Sequence, residues 1–372
     1  MRVRIVSIED MTADLVAKWN GWARPDGRLI SPYLCFEFTE TVARTRPDTR
    51  IAVLEDDGEV TGFFPHHAPH DGIVRPLGAP MSDYQGIVAR PGVHIDPRAI
   101  VRACGGSAMV YDNWYCPLGG IPDARREREG SVIVDLAEGA RAYFDARRSV
   151  HRDHFKKTAR RLRAAERDFG PVRVKLGDDT GRAFAALAAW KEAQYTSTGK
   201  LNVFSIAWVQ DVLAQLRARE GEAFGGLTAS LWFGDRLAAV EFGLVADDVY
   251  HSWFPAYDPE LARYSPGLLL LHGLFEQAQA HGLERIDLGR GGGHYKKYYA
   301  SYEIPLDHGR VLVPGMAALG ICSWELAERA AAVMPDAVAN LPVRLRRRWA
   351  QVSAFQPRFA PRLASFAGSI AL

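Results

Sequence analysis

The sequence predicts a two-lobed α/β protein built on mixed β-sheets. Three observations point there. The chain has 372 residues, which suits about two to three domains of roughly 150 residues and excludes one small domain. Hydrophobic residues make up 48% and charged residues 24%, enough apolar side chain for a core in each lobe and too much for a disordered chain. Two segments also follow one plan, a strand, two helices and then hairpin-linked strands, so a duplication is expected.

In the first segment RVRIVSI reads as a strand, and Thr12 to Trp22 and Tyr33 to Arg44 read as helices. RIAVLEDDGEVTGFFPHH reads as a hairpin, because Asp57-Gly58 supplies the positive φ values of a tight turn. In the second segment PVRVKL is a strand, and Gly181 to Thr196 and Ile206 to Glu220 are helices. A three-stranded meander follows, turning at Gly234-Asp235 and Asp247-Asp248. Ser265-Pro266-Gly267 then opens an apolar helix to about His281, Gly282 closes it, and ERIDL is a further strand. These readings set domains at 1–140 and 171–320, joined by a basic helical connector over 141–170 and followed by a basic tail over 321–372.

The connector carries nine Lys and Arg from Arg147 to Arg167, against Asp153 and Glu166, above Phe155, Ala159, Leu162 and Phe169 at helical spacing. It is either a solvated helix or a contact for an anionic ligand or membrane. The tail holds Arg344, Arg346, Arg347, Arg348, Arg358 and Arg362 with no acidic residue after Pro342, as a loosely docked tail or an anion-binding appendage. A net charge of +2 gives no reason to expect DNA as a partner.

Cys35, Cys104, Cys116 and Cys322 stand far apart, suggesting neither a disulfide framework nor a zinc cluster. The charged amino terminus lacks the apolar stretch of a secretory signal, and the apolar run from Val311 to Trp324 is short and contains Pro314 and Gly315. A cytoplasmic protein is expected, with peripheral contact at the inner face of the membrane.

The loop before the helix at Pro266 is where a phosphate would bind. Helix starts leave about four amide N–H groups unpaired and carry roughly half a positive charge. Arg263, Ser265 and the amides after Gly267 are the expected donors, against the alternative that Ser265 merely caps the helix. GRGGGHYKK is not a dinucleotide loop, because His294 stands where the last glycine would be required. His66, His67 and His70 lack supporting carboxylates, so no metal is expected.

Taken in order, SPYLCFEF, GFFPHH, RPLGAPMSDYQG, WKEAQY, WFPAYDPELARYSPGLLLL and RIDLGRGGGHYKK resemble acyl-CoA N-acyltransferases of the GNAT fold, in the CelD/BcsL-like subgroup of cellulose and exopolysaccharide biosynthesis. The resemblance covers roughly residues 30–310, and the doubled plan is similar to the FemABX aminoacyl transferases, which hold two such domains in tandem. It implies an acyl-CoA co-substrate, acetyl-CoA being the expected one, with its pyrophosphate at the loop Arg263, Tyr264, Ser265 to Gly267. Arg263 is followed by Tyr-Ser-Pro-Gly, a departure from the simple R/Q-x-x-G-x-G/A signature.

Transfer from a thioester to an amine needs a base near the nitrogen and a donor for the developing oxyanion. Base candidates are Glu241, set in the apolar AAVEFGL, His251, and Asp287 at the end of the next strand. Each also admits a structural role: an ion pair, a satisfied core histidine, or a cap beside Gly289. Tyr295 could protonate the leaving thiolate and Lys296 could neutralise phosphate, at the start of an expected helix. Asp83, Tyr84 and Gln85, with Trp190, Lys191 and Gln194, suit an acceptor's hydroxyls, amine and ring, or else a plain turn and ordinary helix packing.

The resemblance implies N-acylation of an amino sugar in a bacterial surface polysaccharide or its lipid-linked precursor. Two other readings stand beside it: aminoacyl transfer to a cell-wall precursor, and a non-catalytic effector of polysaccharide export whose basic tail binds a cyclic dinucleotide. The two arginine-rich segments would meet anionic lipid phosphates.

Overall fold

A computed structural model describes residues 1–115, 127–178, 180–291, 293–334, 341–357 and 359–370. Cys116 and Arg358 lie outside the described residues. The first part of the chain forms β1 (Arg2–Val6), α1 (Ala13–Trp22), α2 (Phe36–Ala43), β2 (Thr49–Asp56), β3 (Glu59–His67), β4 (Ile73–Pro76), β5 (Gln85–Gly86), β6 (Val88–Ala89), α3 (Pro97–Ala103) and β7 (Ala108–Tyr115). β8 (Glu127–Asp135), α4 (Ala140–Val150), α5 (Arg152–Phe169), β9 (Val172–Leu176), α6 (Arg182–Ser197), α7 (Ala207–Ala218), β10 (Phe224–Phe233), β11 (Arg236–Ala246) and β12 (Val249–Tyr257) follow. The chain continues through α8 (Pro266–Gln277), β13 (Arg285–Asp287), β14 (Tyr302–Leu312), α9 (Met316–Ala331), α10 (Leu341–Phe355) and α11 (Phe359–Ile370).

Two units result. The first comprises Met1–Ala23, Val42–Arg128 and Leu306–Leu372; the second comprises Arg24–Thr41 and Glu129–Pro305. They are not the contiguous segments expected from the sequence: residues 24–41 join the second unit, and everything from Leu306 onward joins the first.

The first unit orders its strands β1-β2-β3-β4-β7-β14, antiparallel except for the parallel β4–β7 pair. The second orders them β9-β10-β11-β12-β13-β8, antiparallel except for the parallel β12–β13 pair. Order and sense match position by position, so the duplicated plan is present in the topology. The sixth strand of each sheet comes from the other half of the plan. β8 follows β7 along the chain but pairs with β13, and β14 follows β13 but pairs with β7.

Local chemistry explains the elements. Asp57 (φ 49°) and Gly58 (φ 84°) make the two-residue turn that sets the β2–β3 register. Thr12 caps α1, its side chain accepting from the Leu15 amide. The helix expected from Tyr33 begins instead at Phe36. Pro32–Leu34 form one 3-10 turn and Cys35 is extended, at φ −68° and ψ 147°. In the second unit Leu269, Leu270, Leu274 and Phe275 of α8 pack on Ala229, Leu231, Tyr250 and Ile286 of the sheet. Each such leucine contributes about 1.5–3 kcal/mol by leaving water. Phe155 and Ala165 of α5 join that core, so the connector is an integral helix of the unit with its lysines and arginines turned outward.

The basic tail is docked by its own charges. Arg362, 3% exposed, stands 3.6 Å from Asp71 and donates to the Gln356 and Pro357 carbonyls. Arg46 donates to both Asp48 and the Ala354 carbonyl, and Arg346 pairs with Glu328. Arg362 and Arg346 are thus structural ions of the first unit.

Candidate active site

The site grows from the point where two parallel strands part. β12 and β13 pair only over Val249–His251 and Arg285–Asp287. Past His251, β12 runs on alone on that side through Ser252–Tyr257. A bulge between Phe242 and Gly243 of the β11–β12 ladder falls at Trp253 and redirects the strand. Backbone N–H groups of this half-strand are the donors a developing oxyanion would need.

Glu241 stands on β11, the neighbour of β12 on the other side, across from Pro255 of that half-strand. It is 2% exposed, and its Oε1 makes no hydrogen bond among the described residues. Burial pushes its carboxyl above the ordinary range, while the Ser252 and Tyr250 hydroxyls, His251 and Lys191 pull the other way. Tyr250 is buried too, and burial together with the Glu241 charge beside it holds its phenol well above the ordinary range. Gly243 makes room for its ring. A Cβ at Gly243 would stand 2.4 Å from both that ring and the His251 carbonyl oxygen. Lys191 on α6 feels the Glu241 charge, and burial lowers its ammonium to about 8. Tyr295 completes the group: burial, with the Glu241 charge beside it, pushes its phenol up to about 12. Charge coupling thus links Glu241 with Lys191 and Tyr295, from three distant stretches, and Tyr250 and Ser252 act on the same carboxyl. Alternation along β12 around His251 was the available signal for those two.

His251 and Asp287, expected as bases, form a closed buried pair instead. They are cross-strand partners, with His251 Nδ1 3.3 Å from Asp287 Oδ2 and both side chains shut off from solvent. Asp287 Oδ1 accepts from Ser131 Oγ at 2.6 Å and from the Gly289 amide at 2.8 Å. The edge of the Tyr33 ring packs on His251. These groups tie β8, β12, β13 and the following turn together. Asp287 as a base is corrected on this geometry, since its side chain is closed to solvent and its Oδ1 already accepts two hydrogen bonds.

At the start of α8, Ser265 adopts left-handed backbone (φ 52°) and its hydroxyl makes no capping bond, so the cap expected as an alternative is absent. The space where a Gly267 Cβ would sit is open. Arg263 is solvent-facing and lies 3.6 Å from Asp168. Tyr264, in contrast, is 3% exposed, packed on Phe169 and Phe233, and its hydroxyl donates to Asp168 at 2.6 Å. It is a core residue holding the loop, not a group facing a ligand. Lys296 also needs correction. Its ammonium donates to the Gly289 and Arg290 carbonyls at 2.9 and 2.8 Å, bracing the glycine-rich turn. The expected helix there is one 3-10 turn, Lys296–Tyr298. A groove of about 1050 Å³ between α5, β9 and α8 is lined from Leu269 and His272 onward, and by none of the candidate site residues.

The remaining candidates divide. Trp190 is half-buried and Gln194 exposed on α6, where Lys191 Nζ donates to Gln194 Oε1 at 3.3 Å. Asp83, Tyr84 and Gln85 belong to the first unit. Tyr84 and Gln85 are each 2% exposed, and the Gln85 amide is spent on Asp112, fixing β5 against β7. Those two are corrected to structural roles by burial; Asp83 is half-buried. His66 and His67 are buried, and His67 accepts from the Gly78 amide. Among the described residues no cluster of three or more His, Cys, Asp or Glu could hold a metal, and no helix is long and apolar enough to cross a membrane.

Residues 149–297 match the family described as the acetyltransferase (GNAT) domain. No curated protein sequence matches the chain. Among solved structures, the C-terminal domain of a putative lysylphosphatidylglycerol synthetase from Agrobacterium fabrum is 12% identical, with 84% of this chain and 96% of that one covered at a TM-score of 0.48. FemX is 11% identical, with 83% and 97% covered and a TM-score of 0.49. A tandem GNAT protein from the clavulanic acid biosynthesis pathway is 12% identical, with 85% and 100% covered and a TM-score of 0.47.

Proposed function

We propose that the second unit, which carries the GNAT acetyltransferase domain, is an acyl-CoA-dependent N-acyltransferase. We propose further that its acceptor is an amino sugar of a bacterial surface polysaccharide or its lipid-linked precursor. The observation that carries the reaction type is Glu241: a carboxyl buried in an apolar strand, one oxygen of which makes no hydrogen bond among the described residues, across from Pro255 in the half of β12 that β13 does not pair. Acyl-CoA, when bound, supplies an activated thioester. At the start of α8 the amides expected after Gly267 are already used, since Leu268 and Leu269 donate to the Ser265 carbonyl; the Gly267 amide, the Ser265 hydroxyl and the open space beyond Gly267 are what can receive a diphosphate.

Glu241 takes the proton from the acceptor nitrogen. Its raised affinity for protons makes it a stronger base than an exposed carboxylate. The Tyr295 phenol, pushed up to about 12, keeps its proton at neutral pH and can give it to a leaving thiolate. Backbone amides of β12 after His251 stabilise the oxyanion, and Lys191 and Trp190 on α6 orient the acceptor. The narrower assignment to polysaccharide rests on the sequence resemblance.

Calorimetry with acetyl-CoA on the full chain tests the reading. Binding is expected for the wild type and weakened in Ser265→Ala and Arg263→Ala. In a transfer assay with amino-sugar acceptors, Glu241→Gln should lose about 10²–10⁴-fold in kcat while still binding acetyl-CoA. A wild-type protein that binds no acyl-CoA overturns the mechanism.

A further inference from the structure

Helix α9 in the first unit wears its apolar side outward. Its two carboxylates point into the unit, Glu325 to Arg310 and Glu328 to Arg346, alongside Ala318 and Ala331. At about 100° per residue, Met316, Leu319, Cys322, Ser323, Leu326 and Ala330 fall together on the opposite side, with no charge among them. Met316 is 88% exposed, Leu319 and Leu326 68% each, and Val333 and Met334 continue the apolar surface past the helix end at 88% and 54%. A soluble helix puts these groups the other way round.

Exposed cations lie at the margin of this strip and on α10, which packs on α9 through the Arg346–Glu328 pair. Arg329 at its margin and Arg344 and Arg347 on α10 are exposed and make no ion pair among the described residues. On another side a cavity of about 390 Å³ is walled by Leu312, Pro314, Leu319 and Cys322 of the apolar surface and by Arg98 and Arg102 of α3. Apolar side chains bordered by arginines fit the layered chemistry of a bilayer surface, acyl chains below and phosphates above. A second copy of the chain fits less well. A two-fold contact through this strip would set arginine margin against arginine margin.

We propose that α9 is a membrane-surface element: its Met316, Leu319 and Leu326 face enters the interface of an anionic bilayer, and Arg98, Arg102, Arg329, Arg344 and Arg347 hold the lipid phosphates around it. This surface is independent of the acyl-transfer site.

The test uses the full chain with an environment-sensitive fluorophore on Cys322, the exposed one among the described cysteines, and Cys322→Ser as the labelling control. Vesicles of phosphatidylcholine and phosphatidylglycerol in equal parts should sediment the protein and shift the fluorophore emission to the blue; phosphatidylcholine alone should bind far less. Leu319→Asn with Leu326→Asn should weaken vesicle binding by at least about tenfold at an unchanged melting temperature. Replacing Arg344 or Arg347 by Gln should weaken it by about fivefold each. The proposal is overturned if anionic vesicles leave the fluorophore unshifted or if the Leu319 and Leu326 changes leave binding intact. It is equally overturned if sedimentation shows these leucines holding a dimer that ignores vesicles.

Discussion

Replacing Asp287 by Ala separates a structural carboxylate from a catalytic one without any substrate in hand. The side chain is 1% exposed and accepts from Ser131 Oγ at 2.6 Å and from the Gly289 amide at 2.8 Å, with His251 Nδ1 at 3.3 Å. Truncation strands two or three buried polar groups at about 1–3 kcal/mol each, so a loss of roughly 2–9 kcal/mol is expected. Against a total stability of about 5–15 kcal/mol, that is enough to lower the yield of folded protein. Asp287→Asn keeps an acceptor oxygen for one partner and should cost roughly half as much. Urea unfolding followed by circular dichroism, wild type beside both variants, reads the difference. A loss below about 1 kcal/mol for Asp287→Ala would refute the view that this carboxylate is the knot of the β8, β12 and β13 junction.

Three further outcomes follow from the geometry. Burial raises the Glu241 pKa, so the folded state holds that proton more tightly than the unfolded chain. Wild-type stability should therefore fall as pH rises from the ordinary carboxylate range through the raised value, and Glu241→Gln should flatten that slope in a series of thermal melts. Gly243→Ala drives a methyl into the Tyr250 ring and the His251 carbonyl, and should cost about 1–3 kcal/mol or more by differential scanning calorimetry. Burial lowers Lys191 to about 8, so its acetylation by an amine-reactive reagent, mapped by mass spectrometry, should reach half-maximal rate near that pH, ahead of exposed lysines.

Much of the fold was legible because its signals are local. Asp57-Gly58 announces a turn, Pro266 starts a helix, and the apolar runs LTASLWF and AAVEFGL mark buried strands. What escaped depends on partners far away in sequence. Nothing within EREGSVIVD or YEIPLDHGRVL states which strand each will lie beside, so the crossed pairing of β8 and β14 was invisible. The site divides the same way. Glu241 stood out as a carboxylate in an apolar run, and Lys191 and Tyr295 as polar groups in aromatic surroundings. That Lys296 and Gln85 would spend their hydrogen bonds on a turn and a neighbouring strand follows only from three-dimensional distances. Tyr264 misled for a related reason: its position in the loop suggested a ligand, while its ring is a core side chain bound to Phe169 and Phe233.

The crossed sixth strands reach beyond architecture into biosynthesis. A ribosome that has released residues 1–140 has made β1 to β4 and β7 but not the edge strand that β7 needs, which arrives only with Asp307–Leu312. The first half must wait, its open strand edge exposed, until nearly the entire polypeptide has emerged. Cutting the gene at residue 140 or 170 would yield fragments lacking an essential strand, whereas co-expressed complementary pieces could restore both sheets.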